Sequence, residues 1–252
     1  MLEIRRRRRR AVAVLVVCGG LGLVSCGNDD SGAADPRPLT VEEATRLAEV
    51  QFDNYDAGGA RFEVATTFTA TNDTLYMSGT VDWKTHQGRA DVRATGAEEE
   101  ITEVWWSDNV VLERRPSLDP VLAGLGYESV RYLARPPATS TRQIDRAIAI
   151  VMALASEERQ NPVLLQQEEG SAFIREDVLR ESNVEVLRYG QRNQYWLNLG
   201  DATLMRFDGN SANGSAPIVV DLLERGPQQI PAPESAAVLP IDAIPELQES
   251  LS

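Results

Sequence analysis

Thiol and imidazole chemistry have almost nothing to work with in this chain: 252 residues carry two cysteines, Cys18 and Cys26, and one histidine, His86. A disulfide framework, a cysteine and histidine zinc site and a cysteine nucleophile are all excluded from the body beyond Cys26. Lysine is equally scarce, with Lys84 alone against twenty-four arginines, a bias that fits a GC-rich genome as easily as any functional demand. Long apolar runs are missing too. The longest, Ala11 to Val24, has fourteen residues and contains Gly19, Gly20 and Gly22, whereas a spanning helix needs about 20.

What that run does have is a setting. Six arginines, Arg5 to Arg10, precede it, and Leu23-Val24-Ser25-Cys26-Gly27 follows. A basic start, an apolar middle and a small residue before cysteine make an export signal. The four residues ending in Cys26 look like a bacterial lipobox, in which lipid is attached to the thiol and the signal is cut just before it. The expected organisation is a lipoprotein signal peptide over 1–25, a flexible tether over 26–39, one domain over 40–239 and a tail over 240–252. The expected location is the extracytoplasmic face of the cell membrane, held there by lipid on Cys26.

Charge narrows the partners. The full chain has a formal charge of -13, and losing the signal leaves 19 basic and 37 acidic residues, a net of -18. Such a surface repels nucleic acid and anionic headgroups. No nucleic-acid partner is expected.

Beyond the tether, Thr40-Val41-Glu42-Glu43 is a capping box. Val41, Ala44, Leu47, Ala48, Phe52 and Tyr55 then mark a helical stripe that Gly58-Gly59 ends. Phe62, Val64, Thr66, Phe68 and Ala70 alternate with polar neighbours, as strand residues do. After the turn at Asn72-Asp73, Leu75, Met77, Gly79, Val81 and Trp83 repeat the pattern. His86-Gln87-Gly88 turns into a third strand with Ala90, Val92 and Ala94 inward. Glu98 to Ser107 and Val110 to Arg115 complete five strands joined by short turns, an antiparallel meander.

Between Pro116 and Gly170 the period becomes helical. Asp119-Pro120 is expected to cap a short helix over Val121 to Leu125. Ser140 with Gln143 forms a second capping box ahead of Ile144, Ala147, Ile148, Val151, Leu154 and Ala155, the best amphipathic helix in the chain. Asn161-Pro162 opens a helical turn through Leu165. Strands return at Ala172 to Leu179, Val184 to Tyr189, Gln194 to Leu199, Thr203 to Asp208 and Pro217 to Glu224. Past Gly226 the prolines predict an extended edge segment.

Short turns forbid the crossovers of a parallel doubly wound sheet. The fold class predicted is α+β: a curved antiparallel sheet, a half-barrel, with helices packed on its concave face. In this order of elements, in the lipobox, and in Arg188-Tyr189-Gly190 to Gln194-Tyr195-Trp196-Leu197-Asn198 followed by Leu204-Met205-Arg206-Phe207, the chain resembles the LolA/LppX-like lipoprotein-carrier superfamily of the LppX/LprAFG type. The resemblance covers Thr40 to Leu239. It implies a half-barrel closed by helices and a role in lipid handling.

A one-sided sheet beneath helices can leave an apolar cavity for acyl chains. The inward candidates are Phe62, Val64, Phe68, Leu75, Met77, Val81, Trp83 and Val92, with Ile144, Ile148 and Val151 from the helix above. Equally, these residues can pack on one another as a dry core, since burying one large side chain contributes roughly 1.5–3 kcal/mol in either case. Trp105-Trp106 must point to opposite faces, so one indole marks a binding rim or membrane contact, or else lies under a nearby loop. His86 reads as a solvated turn residue. Glu98-Glu99-Glu100 and Glu168-Glu169 read as solvated acidic runs, and Asp208-Gly209-Asn210 as a turn. No cofactor, metal ligand set or catalytic constellation is expected, so the chain reads as a non-enzyme. The function expected is binding or shuttling of a lipid or other amphiphile. The alternative is an envelope interaction or sensor module with a dry core that docks a protein partner.

Overall fold

The structure, a computed structural model, describes residues 36–68, 71–209 and 217–244. Cys18, Cys26 and the segment read as signal and lipobox lie outside the described residues, as do Ala70 and Asn210. Among those described, no helix is long and apolar enough to cross a membrane.

The element α1 (Val41–Ala57) begins at the expected capping box: Thr40 Oγ1 accepts the Glu43 N–H, and Glu43 Oε2 accepts the Thr40 N–H at 2.8 Å. Gly58, at φ 91°, ends it in a conformation that a Cβ resists. Ala44, Leu47 and Ala48 are buried and Phe52 and Tyr55 half-buried, but Val41 is 63% exposed because the first turn overhangs the core. Val50 and Asn54 take the remaining inward positions.

Among the described residues twelve strands form one open sheet in the order β12-β6-β5-β4-β3-β2-β1-β11-β10-β9-β8-β7, curved in the manner of a half-barrel. The meander is as the alternation predicts: β1 (Gly59–Phe68), β2 (Asp73–Asp82), β3 (Gln87–Ala94), β4 (Glu103–Ser107) and β5 (Val110–Arg114) pair in sequence, all antiparallel. The second half supplies β7 (Ala172–Leu179), β8 (Ser182–Tyr189), β9 (Asn193–Asn198), β10 (Leu204–Gly209) and β11 (Ile218–Arg225). Antiparallel pairing of β11 with β1 joins the halves, with Val64 opposite Val220.

Several local expectations fail. The expected fourth strand is shorter, because Gly96 to Glu98 form a 3₁₀ turn before it. A strand missed in the helical block, β6 (Tyr132–Arg135), pairs with β5 and also, in parallel, with the edge strand β12 (Val238–Pro240). The sheet is therefore antiparallel except at that edge. The short helix α2 (Asp119–Gly124) starts without a side-chain cap, since Asp119 is drawn to Arg114 at 2.6 and 2.8 Å instead. The strand expected over Gln194 to Leu199 ends one residue early, at Asn198, and Leu199 is exposed.

The inward face of the sheet and the helices share one buried cluster. The helix α3 (Gln143–Ala153) buries Ile144, Ala147, Ile148 and Val151, and Leu154 follows at its cap. Polar ties fix α1 and α3 together: Asn54 Nδ2 donates to the Leu154 carbonyl at 2.7 Å, and Gln51 Nε2 to that of Ala153 at 2.6 Å. Trp83 Nε1 donates to the Val151 carbonyl at 3.0 Å and so pins α3 to the end of β2. Asn161 caps α4 (Pro162–Gln167) as expected, accepting from the Val163 N–H. The packed body extends past the expected boundaries at both ends. Arg37 exchanges backbone hydrogen bonds with Phe173 on β7, Leu39 is buried, and so is Ile244.

Candidate functional site

All eleven inward candidates are in the same buried cluster, none more than 7% exposed. Phe62, Val64 and Phe68 from β1, Leu75, Met77 and Val81 from β2, Trp83 just after it and Val92 from β3 form the floor. Ile144, Ile148 and Val151 press down on it from α3. Phe62 and Trp106 meet with ring centroids 6.1 Å apart. Beneath the centre of α3, side chain meets side chain.

Space opens at the flank of α3, over β4 and β5. A cleft of about 330 Å³ lies there, its apolar wall made by Trp106, Val111, Ile148, Ala149, Met152 and Ala155. Of the eleven candidates only Ile148 reaches it. Its rim is polar: His86 Nδ1 lies 2.8 Å from Asp108 Oδ1, and Asp145 borders the far side. His86 does sit in the expected turn, half in water at φ 54°, but it also edges this cleft. The spacing of Ile148 and Met152, one helical turn apart, and the inward position of Trp106 on β4 are the signals from which the cleft wall was readable.

Gly88 shapes this wall. A Cβ there would lie 1.8 Å from the Trp106 ring, so only glycine lets the indole lie flat on β3. Both tryptophans of the pair are buried. Trp106 points into the core, and Trp105, on the other face, shares a second cleft with the proline-rich stretch from Pro231 to Ala237. The loop-covered alternative is the one realised, and neither indole forms an exposed rim.

The element holding α3 over the cleft is ionic and was not readable in the sequence. Glu113 on β5, 1% exposed, receives Arg115, Arg135 and Arg142, the last at 2.9 Å. Arg135 on β6 also binds both oxygens of Asp145, one turn into α3. Asp145 further accepts the Ala138 N–H. No Ser140 to Gln143 box forms. Instead Glu98, 46 positions upstream, accepts the Ile144 N–H at 3.1 Å and pairs with Arg142. The acidic run at 98–100 is thus not all solvated: Glu98 is buried. Burial raises its carboxyl above the usual carboxylate range, overcoming the opposing pull of Arg142 and the Ile144 N–H. Burial works against the charge of Arg135, but Asp145 and Glu113 outweigh it and hold the guanidinium above its usual range.

Glu98, Glu113 and Asp145 thus meet Arg115, Arg135 and Arg142, with Glu100 3.9 Å from Arg115 at the exposed edge, and the network ties the start of α3 to β5 and β6. Among the described residues no group of three or more His, Cys, Asp or Glu is placed to hold a metal ion.

No family model matches the chain, and no curated protein does. Solved structures do. The chain is similar to LprF from Mycobacterium bovis, at 12% identity over 79% of this chain and 99% of that one, TM-score 0.42. It is similar to an uncharacterized conserved protein from Thermus thermophilus, at 12% identity over 77% and 96%, TM-score 0.40. A third likeness is to a structure described as an outer membrane lipoprotein-sorting protein domain from Vibrio parahaemolyticus, at 9% identity over 73% and 92%, TM-score 0.31. The likenesses are loose and concern the arrangement of elements, not a ligand.

Proposed function

We propose that the chain is an extracytoplasmic lipoprotein, anchored through lipid on Cys26, that binds or shuttles a lipid or other amphiphile. The observation that carries this reading is the apolar cleft between α3 and strands β4 and β5. Its volume, about 330 Å³, is at the small end of ligand pockets, roughly 300–1,000 Å³. An apolar wall with a rim of His86, Asp108 and Asp145 suits a molecule with one greasy and one polar end. Ile148 is the contact common to cleft and core. Phe62, Val64, Phe68, Leu75, Met77, Val81, Trp83, Val92, Ile144 and Val151 are the packed wall behind it, which a longer acyl chain would have to part.

Native mass spectrometry of a soluble form, lacking the signal and with Cys26 replaced, tests the reading. A co-purifying lipid, or saturable uptake of a fluorescent fatty acyl probe, is the expected result. A clean apo mass with no uptake would remove it.

One observation favours a second reading. The eleven inward side chains fill the space under α3 with little room left, as in a dry-cored envelope module that docks a protein partner. In that case a pull-down from detergent-solubilised membrane returns a stoichiometric protein and no lipid.

A further inference from the structure

The ladder between β10 and β11 ends early. Its register pairs Arg206 with Asp221 and continues to Gly209 and Ile218, but Met205 and Leu222, next in line, do not pair. Each strand has an irregularity at the break, β10 at Met205, which its pairing with β9 skips, and β11 at Leu223, which its pairing with β1 skips. The two strands part, and a cleft of about 370 Å³ opens in the fork.

An arginine is wedged into it. Arg180 Nη2 donates to the carbonyls of both parted residues, Met205 at 2.8 Å and Leu222 at 2.9 Å. To place it there the chain accepts an unfavourable turn. Arg180 at φ 50° and Glu181 at φ 64° are both left-handed, in a two-residue hairpin where asparagine and glycine are usual. Ala202, entering the other wall, has φ 57°. Of these three residues Arg180 lines the cleft, and Ala202 directly precedes Thr203, which also lines it.

Arg225 lines the same cleft, as do Asn198 and Thr203. Its Nε is buried and donates to nothing among the described residues. Burial pushes its guanidinium below the usual range, while Asp53 and Asp201 pull the other way from a distance. Asp201 is itself engaged by the Thr203 N–H and hydroxyl at 3.0 and 2.7 Å. Arg225 thus brings a half-buried guanidinium with an idle Nε donor to the wall of the fork.

We propose that the fork between β10 and β11 is an oxyanion site in which Arg225 and Arg180, helped by Asn198, take a phosphate group, either free or as a lipid headgroup. Guanidinium forks match phosphate oxygens in pairs, and two of them balance the charge of about -1.5 to -2 on a phosphate monoester near neutral pH. The fork shares no residue with the cleft beside α3, so it stands whether or not that cleft holds a lipid.

The test is calorimetric titration of the full-length protein in neutral detergent, at ionic strength fixed with chloride. The two probes are inorganic phosphate and dihexanoylphosphatidic acid below its micelle concentration. Saturable one-to-one binding of either is expected. Binding of phosphate itself indicates the free ion as the ligand source, and binding of the phosphatidate alone indicates a headgroup. Arg225→Gln should weaken the binding about tenfold or more, Arg225→Lys should restore part of it, and Glu224→Gln, at an exposed neighbour, should leave it unchanged. No saturable binding of either probe, or an Arg225→Gln protein that binds as before, would overturn the site. So would a phosphatidate signal abolished by Met152→Trp, which places the lipid beside α3 instead.

Discussion

Arg135 holds Asp145 by two parallel hydrogen bonds of 2.7 Å, one from each terminal guanidinium nitrogen. This contact joins β6 to the first turn of α3, where the sequence offered a capping box that does not form. It sets α3 at the height above β5 that leaves the apolar cleft beside it.

Removing that clasp is predicted to be costly. Arg135→Ala leaves Glu113 short of one partner and Asp145 without its paired cation, both buried, and breaking a buried pair on one side costs about 3–5 kcal/mol. Urea unfolding should show it. Arg135→Lys cannot reproduce the fork and should lie between wild type and alanine. A loss of under about 1 kcal/mol for the alanine variant would mean that the network is incidental to stability.

Two glutamates should give stability opposite dependences on pH. Burial pushes the Glu43 carboxyl up, but Arg37, at 2.6 and 2.8 Å, and the Thr40 N–H bring it below the usual range. Its contribution is therefore present above the ordinary carboxylate value and lost as pH falls through the lowered one. The carboxyl of Glu98 is raised, chiefly by burial. Its contribution is present below the ordinary value and lost as pH rises through the raised one. In a pH series of urea midpoints, Glu43→Gln should flatten the acid side and Glu98→Gln the opposite side. Unaltered profiles in both variants would sink the assignment.

Filling the cleft should separate binding from folding. Met152 is half-buried at its wall, so Met152→Trp can occupy the space without entering the core. Uptake of a fluorescent acyl probe is expected to be lost with the melting temperature within a few degrees of wild type, whereas Met152→Ala should still take up the probe. Undiminished uptake in the tryptophan variant would place the ligand elsewhere.

Gly88→Ala should act on the same wall from behind. With a Cβ 1.8 Å from the Trp106 ring, the indole must move, at about 1–3 kcal/mol for an overpacked core. Tryptophan emission should shift as Trp106 moves. Wild-type stability and spectrum together would show that β3 yields instead of the ring.

The sheet was legible where one face is wet and the other dry. Phe62, Val64, Thr66 and Phe68 alternate so cleanly that strand and inward face follow together. The strand Tyr132–Arg135 was not legible, because four residues give too little period to tell from the helical block around them. The start of α3 misled for another reason. Ser140 and Gln143 have the right spacing for a capping box, but the Ile144 N–H finds Glu98, a partner no local pattern reveals. Inward residues were identified correctly, yet alternation tells which side chains are buried and not whether they enclose a hollow. The open space beside α3 depends on how Arg135, Glu113 and Asp145 hold the helix, a long-range matter.

The ends of the sheet decide how the molecule behaves in a crowd. An open twelve-stranded sheet has two free margins, each a template on which another copy could add a strand. Here one margin is β12, three residues long and closed by Pro240, and the other is β7, where Arg37 already takes both backbone groups of Phe173. The rest of β7, from Ile174 to Leu179, carries Arg175, Glu176 and Asp177, charges of the kind that blunt a sheet edge, so the open sheet is poorly suited to pairing edge to edge.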